Sequence, residues 1–305
     1  MRDTFIKKLT KLAETDESIF LVVGDLGYGV IDQFSTKFPN RFLNAGISEQ
    51  NMMGVAAGLA KTGYKVFVYS IANFPTMRCY EQIRNDVCYH NLDVTIVAIG
   101  AGFGYGTLGY SHFAIEDLSL MRILPNIQVL SPADPLDLEA AVEYIVDSRG
   151  PKYLRVGKNG EKNLNAALAG SALEPRKIKS GNDLLILSTG NIGKSVEGVL
   201  STLPEELADR IEFYSISAFA ETSLDKIGFS GFSKVVTVEE HLLDGGFGSF
   251  VLEYLENHEL PINLKRIGIR RNIPFPIGGQ DFMRDATGIG PEVIRSTILA
   301  YFQDS

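Results

Sequence analysis

Short runs of β-branched and aliphatic residues alternate with helix-patterned stretches along nearly the whole chain, and this alternation restricts the fold more than any other feature. Ile19 to Val23, Lys65 to Ile71, Val94 to Ile99, Ile127 to Leu130 and Tyr153 to Val156 read as strands without a polar face. A strand that is apolar on both sides must be covered on both sides, so the pattern predicts βαβ units and a mostly parallel sheet between two layers of helices. After Arg155 the pattern lapses into Gly157-Lys158-Asn159-Gly160 and stays weak as far as Gly181. It resumes with strands near Leu184 to Leu187, Ile211 to Ser215, Val235 to Val238 and Leu264 to Ile269, and a last helix around Pro291 to Phe302. The expectation is an α/β chain of two three-layer α/β/α domains, 1–165 and 181–305, joined by a linker at 166–180.

Composition narrows the partners. With 305 residues, 45% hydrophobic and 22% charged, the chain is long enough for two separate cores. A formal net charge of -8 without any block of Lys and Arg argues against a nucleic-acid or acidic-membrane surface, and no apolar stretch approaches the roughly 20 residues that cross a bilayer. The opening Met1-Arg2-Asp3-Thr4-Phe5-Ile6 interleaves charge with helically spaced apolar residues, unlike a secretory signal, so a cytoplasmic protein is expected. Cys79 and Cys88 fit neither a redox pair nor a zinc site and are read as reduced thiols; with four histidines in all, no protein-built metal site is expected.

Three glycine clusters invite phosphate-binding readings. Gly104-Tyr105-Gly106-Thr107-Leu108-Gly109 has the G-x-G-x-x-G spacing of a dinucleotide site, yet the first acid after a following strand is Asp134, about thirty residues on where about twenty are needed. Gly190-Asn191-Ile192-Gly193-Lys194-Ser195 resembles the end of a P-loop whose leading glycine is replaced by Ser188. Gly245-Gly246-Phe247-Gly248 opens a helix after a strand and either cradles an anion or permits close packing.

The strongest single candidate is Glu49, in Asn44-Ala45-Gly46-Ile47-Ser48-Glu49. Ser48 is placed to cap a helix whose small residues, Gly54 and Gly58 among them, would let another backbone approach, so Glu49 is expected to be partly buried in a first helical turn. Burial raises a carboxyl pKa and a helix N-terminus lowers it, which leaves its proton open to a bound base. His112 stands in a loop before an amphipathic helix, and Arg155 is a charge at a strand end, either a phosphate clamp or a paired structural ion.

Taken together, Gly24-Asp25-Leu26, Gly46-Ile47-Ser48-Glu49, the segment from Phe74 to Asp86, the Ser111-His112 loop, Leu124-Pro125-Asn126, Ser131-Pro132-Ala133-Asp134 and Val238-Glu239-Glu240-His241 resemble the transketolase family of thiamine diphosphate enzymes. The resemblance implies a pyrimidine-binding domain followed by the family's carboxyl-terminal domain. It implies that Glu49 bonds the ring nitrogen of the cofactor's aminopyrimidine and sets its tautomer, while the cofactor carries a two-carbon ketol unit from a ketose to an aldehyde. It also places Asp25 and Leu26 near the thiazolium, Phe74 against the pyrimidine with Tyr80 or Ile71 as alternatives, and Arg78 among the cofactor-binding residues. His112 matches a histidine at the substrate mouth, with Ser111 where the family has threonine, and Arg155 matches a phosphate-binding arginine.

Full-length relatives carry a preceding diphosphate-binding domain with a Gly-Asp-Gly motif that this chain lacks. The resemblance therefore implies the second half of a split enzyme, active in a heterotetramer built on a homodimeric core, with a partner chain holding Mg2+ and the diphosphate. Sugar or sugar-phosphate substrates are expected, although Gly100 and Leu108 stand where the family has sugar-reading side chains. A deoxyxylulose-phosphate synthase-like carboligase and the beta chain of a 2-oxoacid dehydrogenase are alternatives within the superfamily. A non-catalytic assembly subunit and a dinucleotide-dependent oxidoreductase are alternatives outside that chemistry.

Overall fold

A computed structural model describes residues 1–168, 170–271 and 275–303. Among these residues two sheets form. The first orders β1 (Ile19–Val23), β2 (Phe42–Asn44), β3 (Lys65–Ile71), β4 (Val94–Ile99), β5 (Gln128–Leu130) and β6 (Lys152–Val156) as β2-β1-β3-β4-β6-β5, all parallel. The second orders β7 (Arg176–Lys179), β8 (Leu184–Ser188), β9 (Ile211–Ser215), β10 (Lys234–Leu242) and β11 (Asn263–Ile269) as β11-β10-β8-β9-β7, parallel except for β7.

Each long strand lies where the apolar runs placed it, because β1, β4, β6, β8 and β9 are buried at every position. Two strands carry no such signal. β2 is three residues of which none is buried, and β7 reads Arg-Lys-Ile-Lys, too polar for the pattern. The segment expected to be a linker, 166–180, therefore supplies an antiparallel edge strand, and the charges of β7 suit an edge that no further strand covers.

Helices cover the first sheet on both sides. Arg2–Leu12 and Pro135–Asp147 pack with Phe5, Leu9, Leu138 and Ile145 on one face, while Glu49–Lys61 brings Met52, Met53 and Ala56 to the other. Pro135 starts its helix at a position whose missing N–H costs nothing, and the Asp134 side chain accepts from Asp137 N at 2.9 Å as a cap.

The loop 100–116 fastens the two sheets together. Gly102 and Ala114 form a two-residue bridge, Gly102 N to Ala114 O at 3.1 Å and Ala114 N to Gly102 O at 2.9 Å. Phe103 and Phe113, edge to face with ring centres 5.1 Å apart, then enter the core of the second sheet beside Ile186 and Val238. This pins the ends of the loop and leaves its tip, with His112, at the carboxyl edge of β4.

Candidate functional site

In a parallel sheet every strand delivers its following loop to the same edge, and ligands gather there. The adjacent order β2-β1-β3-β4 thus sets four loops side by side, carrying Asp25 and Leu26, Glu49, Phe74 and Arg78, and His112.

Glu49 opens the helix Glu49–Lys61 with only 7% of its surface exposed. Arg78 Nη1 donates to its Oε1 at 2.9 Å; the carboxylate is closed to water while the guanidinium is about half exposed, 8% against 52% for the side chains. Ser48 holds the N-cap position but does not cap, because its hydroxyl donates to Ala45 O at 2.7 Å. Gly54 and Gly58 face outward, and a Cβ at either would meet nothing within 4 Å, so the backbone approach expected there is not made within this chain.

Arg78 also lies over the Phe74 ring, Cζ to centroid 4.4 Å, and the same ring meets His112 edge-on at 5.4 Å. Glu49, Arg78, Phe74 and His112 therefore form one continuous chain of contacts drawn from three loops. Tyr80 turns away and donates to Leu120 O at 2.9 Å. His112 Nδ1 is 3.0 Å from the Ser111 hydroxyl, and Asn73 Nδ2 donates to Ser111 O at 3.0 Å, which ties the histidine turn to the Phe74 segment. The Asn73 Oδ1 is buried and has no hydrogen-bond partner. These residues border a cavity of about 230 Å³ lined by Asn73, Phe74, Met77, Arg78, Tyr110 and Ser111 together with Glu116. Burial raises the Glu116 carboxyl above its ordinary range although the Tyr110 hydroxyl donates to it at 2.9 Å.

Asp25 joins from the neighbouring loop. The Asn44 Oδ1 accepts from Asp25 N at 3.1 Å and from Gly46 N at 3.0 Å, locking the turn after β1 to the approach to Glu49. Asp25 adopts φ 51°, a left-handed conformation that only a fixed surrounding sustains in a residue other than glycine. The Tyr28 hydroxyl, followed by Asn44 Nδ2, holds its carboxyl below the usual range. Leu26, partly buried, packs against the core beneath.

Arg155 is elsewhere. Its side chain is 2% exposed, its Nε donates to Asp117 Oδ2 at 2.7 Å, and its Nη2 donates to Ala114 O at 2.6 Å and Glu240 O at 3.0 Å. The role of phosphate clamp is corrected here: the guanidinium is spent on a buried partner and on carbonyls between the two sheets, and no substrate reaches it.

Two glycine expectations also resolve. Gly245-Gly246-Phe247-Gly248 does present free amides at a helix start, but Phe247 N and Gly248 N donate to Glu239 at 2.6 and 2.8 Å, so the anion is the chain's own. The loop Gly104 to Gly109 bends in short turns, and Gly100, at φ 93°, lies against the Tyr105 ring; a Cβ there would come within 2.2 Å of it. Cys79 and Cys88 are free and buried, and burial pushes each thiol up to about 12.

The residues that sequence reasoning missed are Asn73, Tyr110 and Glu116. Each adjoins a residue already singled out, but nothing in residue type distinguished a cavity wall from a surface neighbour. Among the described residues no group of three or more His, Cys, Asp or Glu could hold a metal ion, and no helix is long and apolar enough to cross a membrane.

Residues 1–160 match the model of the transketolase pyrimidine-binding domain, and the chain is 36% identical over 277 residues to a putative transketolase C-terminal section of Methanocaldococcus jannaschii, covering 88% of this chain and 86% of that protein. The chain belongs to the transketolase family. One of the two subunits of an apulose-4-phosphate transketolase from Actinobacillus succinogenes is 30% identical, with 88% of each chain covered. A split-gene transketolase solved as an inactive beta4 tetramer superposes with a TM-score of 0.83 at 30% identity, over 99% of this chain and 97% of that one. The transketolase relationship thus extends over both sheets and matches the carboxyl-terminal half of the family architecture.

Proposed function

We propose that this chain is the pyrimidine-binding subunit of a two-chain, thiamine diphosphate-dependent transketolase, passing a two-carbon ketol unit from a ketose to an aldehyde. The observation that carries the reading is Glu49, a carboxyl closed to water beside an aromatic ring on the carboxyl edge of a parallel sheet. These residues suit the cofactor's aminopyrimidine: a carboxyl for its ring nitrogen, the Phe74 face for stacking, and in Asn73 Oδ1 a buried acceptor still without a donor.

Thiamine diphosphate, when bound, would supply the carbon–carbon bond chemistry. Glu49 would hold or share the proton at the pyrimidine nitrogen, and its burial keeps water from competing for it. Phe74 would orient the ring, with Asp25 and Leu26 bounding the thiazolium side. His112, at the tip of a loop fastened at both ends, would bond substrate hydroxyls or move a proton at the mouth. Arg155 has no part in substrate binding, so phosphate recognition falls to other groups.

A separate partner holding the diphosphate and Mg2+ is supported by the relatives of matching length, which are named as sections, subunits or split-gene products. A heterotetramer on a homodimeric core follows from a site shared between chains. Reduced, buried thiols accord with a cytoplasmic setting. The test is reconstitution with a diphosphate-binding transketolase subunit, thiamine diphosphate and Mg2+. Ketol transfer should require both chains and fall at least about 100-fold in Glu49→Gln; undiminished turnover by that variant would remove the reading.

A further inference from the structure

Arg78 touches the two groups that the reading above assigns to the aminopyrimidine. Its Nη1 donates to Glu49 Oε1 at 2.9 Å and its Cζ stacks 4.4 Å over the Phe74 ring. A guanidinium is flat, delocalised and edged with N–H donors, so it bonds a carboxylate in its plane while lying on an aromatic face. A protonated aminopyrimidine is also flat and edged with N–H donors. We propose that Arg78 is an internal stand-in for the pyrimidine, keeping Glu49 and Phe74 in position until the cofactor's ring takes over both contacts and the guanidinium moves aside. The proposal rests on the assignment of Glu49 and Phe74 to the pyrimidine.

Three features suit Arg78 to such an exchange. The ion pair is asymmetric, with the carboxylate closed and the guanidinium half open to solvent, so the arginine can leave without uncovering a core. Arg78 sits on the single 3-10 turn Met77–Cys79 between two short helical pieces, rather than inside a long helix that would fix its direction. It also lines the cavity that contains Glu116, so the displaced guanidinium meets a second carboxyl a few bonds' reach away. Exchanging one partly exposed pair for another changes little in net energy, because such pairs are weak and solvent competes for them. A stand-in of this kind lowers the apparent affinity for the ring by the fraction of time that it holds the site.

The test is calorimetric titration of the full chain with the pyrimidine half of the cofactor alone, 4-amino-5-hydroxymethyl-2-methylpyrimidine, which needs neither the metal nor a diphosphate site. Arg78→Ala is expected to bind this fragment about ten-fold more tightly than the unaltered chain, the combined strength of an exposed ion pair and a cation–π contact. Arg78→Lys, which keeps the charge and loses the plane, should fall between them. Adding Glu49→Gln to Arg78→Ala should abolish the gain. Circular dichroism of each variant confirms folding, and a purely structural arginine could only lower affinity when removed. If Arg78→Ala binds no more tightly while Glu49→Gln alone weakens binding, the stand-in is overturned and the Glu49 assignment survives. If the gain persists after Glu49→Gln, the Glu49 assignment fails and takes the stand-in with it. Absence of binding by Arg78→Ala at millimolar fragment also overturns the proposal.

Discussion

Arg155 donates through Nε to Asp117 Oδ2 at 2.7 Å, and neither side chain is more than 2% exposed. The same Asp117 oxygen accepts from the Tyr153 hydroxyl at 2.6 Å. This pair closes the contact between the two sheets, since Arg155 ends β6 and also bonds the Glu240 carbonyl in β10. Removing one member of a buried pair strands the other as an uncompensated charge. Arg155→Ala should therefore destabilise the chain by about 3–5 kcal/mol in urea unfolding, and in reconstituted enzyme it should affect phosphorylated and neutral substrates alike. A selective loss for phosphorylated substrates with unchanged stability would contradict this placement.

Gly100 bears on substrate choice. Restoring a histidine there would place a Cβ 2.2 Å from the Tyr105 ring at a φ of 93°, where side chains are strained. Gly100→His alone should lower stability by about 2–4 kcal/mol, and Tyr105→Ala in the same chain should recover part of the loss by vacating the space. Thermal melts of the two variants measure both effects.

His112 reaches the site only through the Phe74 ring and Ser111. His112→Ala should lower kcat/KM of the reconstituted enzyme by about 100-fold or more and shift the melting temperature by only about 1 °C, since the side chain is partly exposed and outside the core. A large drop in melting temperature would assign it a structural role.

His241 predicts a pH dependence. It is fully enclosed, with Nδ1 2.7 Å from the Leu242 carbonyl, and burial pushes its pKa down to about 4 from 6.5. The unfolded chain takes up a proton at higher pH than the folded one, so this contribution to stability is complete above pH 6.5 and is lost as pH falls towards 4. The loss approaches about 3 kcal/mol. A urea series from about pH 7 to about pH 4 should show it, and His241→Leu should flatten that limb.

Most of the first sheet was legible in the sequence because burial on both faces leaves runs such as Val94 to Ile99 with no charged residue to interrupt them. Glu49, Asp25, Phe74 and His112 were legible for a related reason: each follows the end of a strand, and parallel strands send such residues to one edge. β2 and β7 were not legible, since short or charged edge strands carry no apolar pattern. The role of Arg155 could not be read either. A guanidinium at a strand end is chemically fit both for phosphate and for Asp117, and those partners differ only in what lies across the fold, 38 residues away in sequence.

By itself the sequence determined two parallel-sheet units and the residues that reach their shared edge, because local periodicity and chain direction suffice for that. Only the tertiary structure decided which charges meet: Arg78 with Glu49, Arg155 with Asp117, and Glu239 with the amides after Gly246. Ion pairing depends on distance and on exclusion of water, and both are set by how separate elements pack rather than by any one stretch of chain.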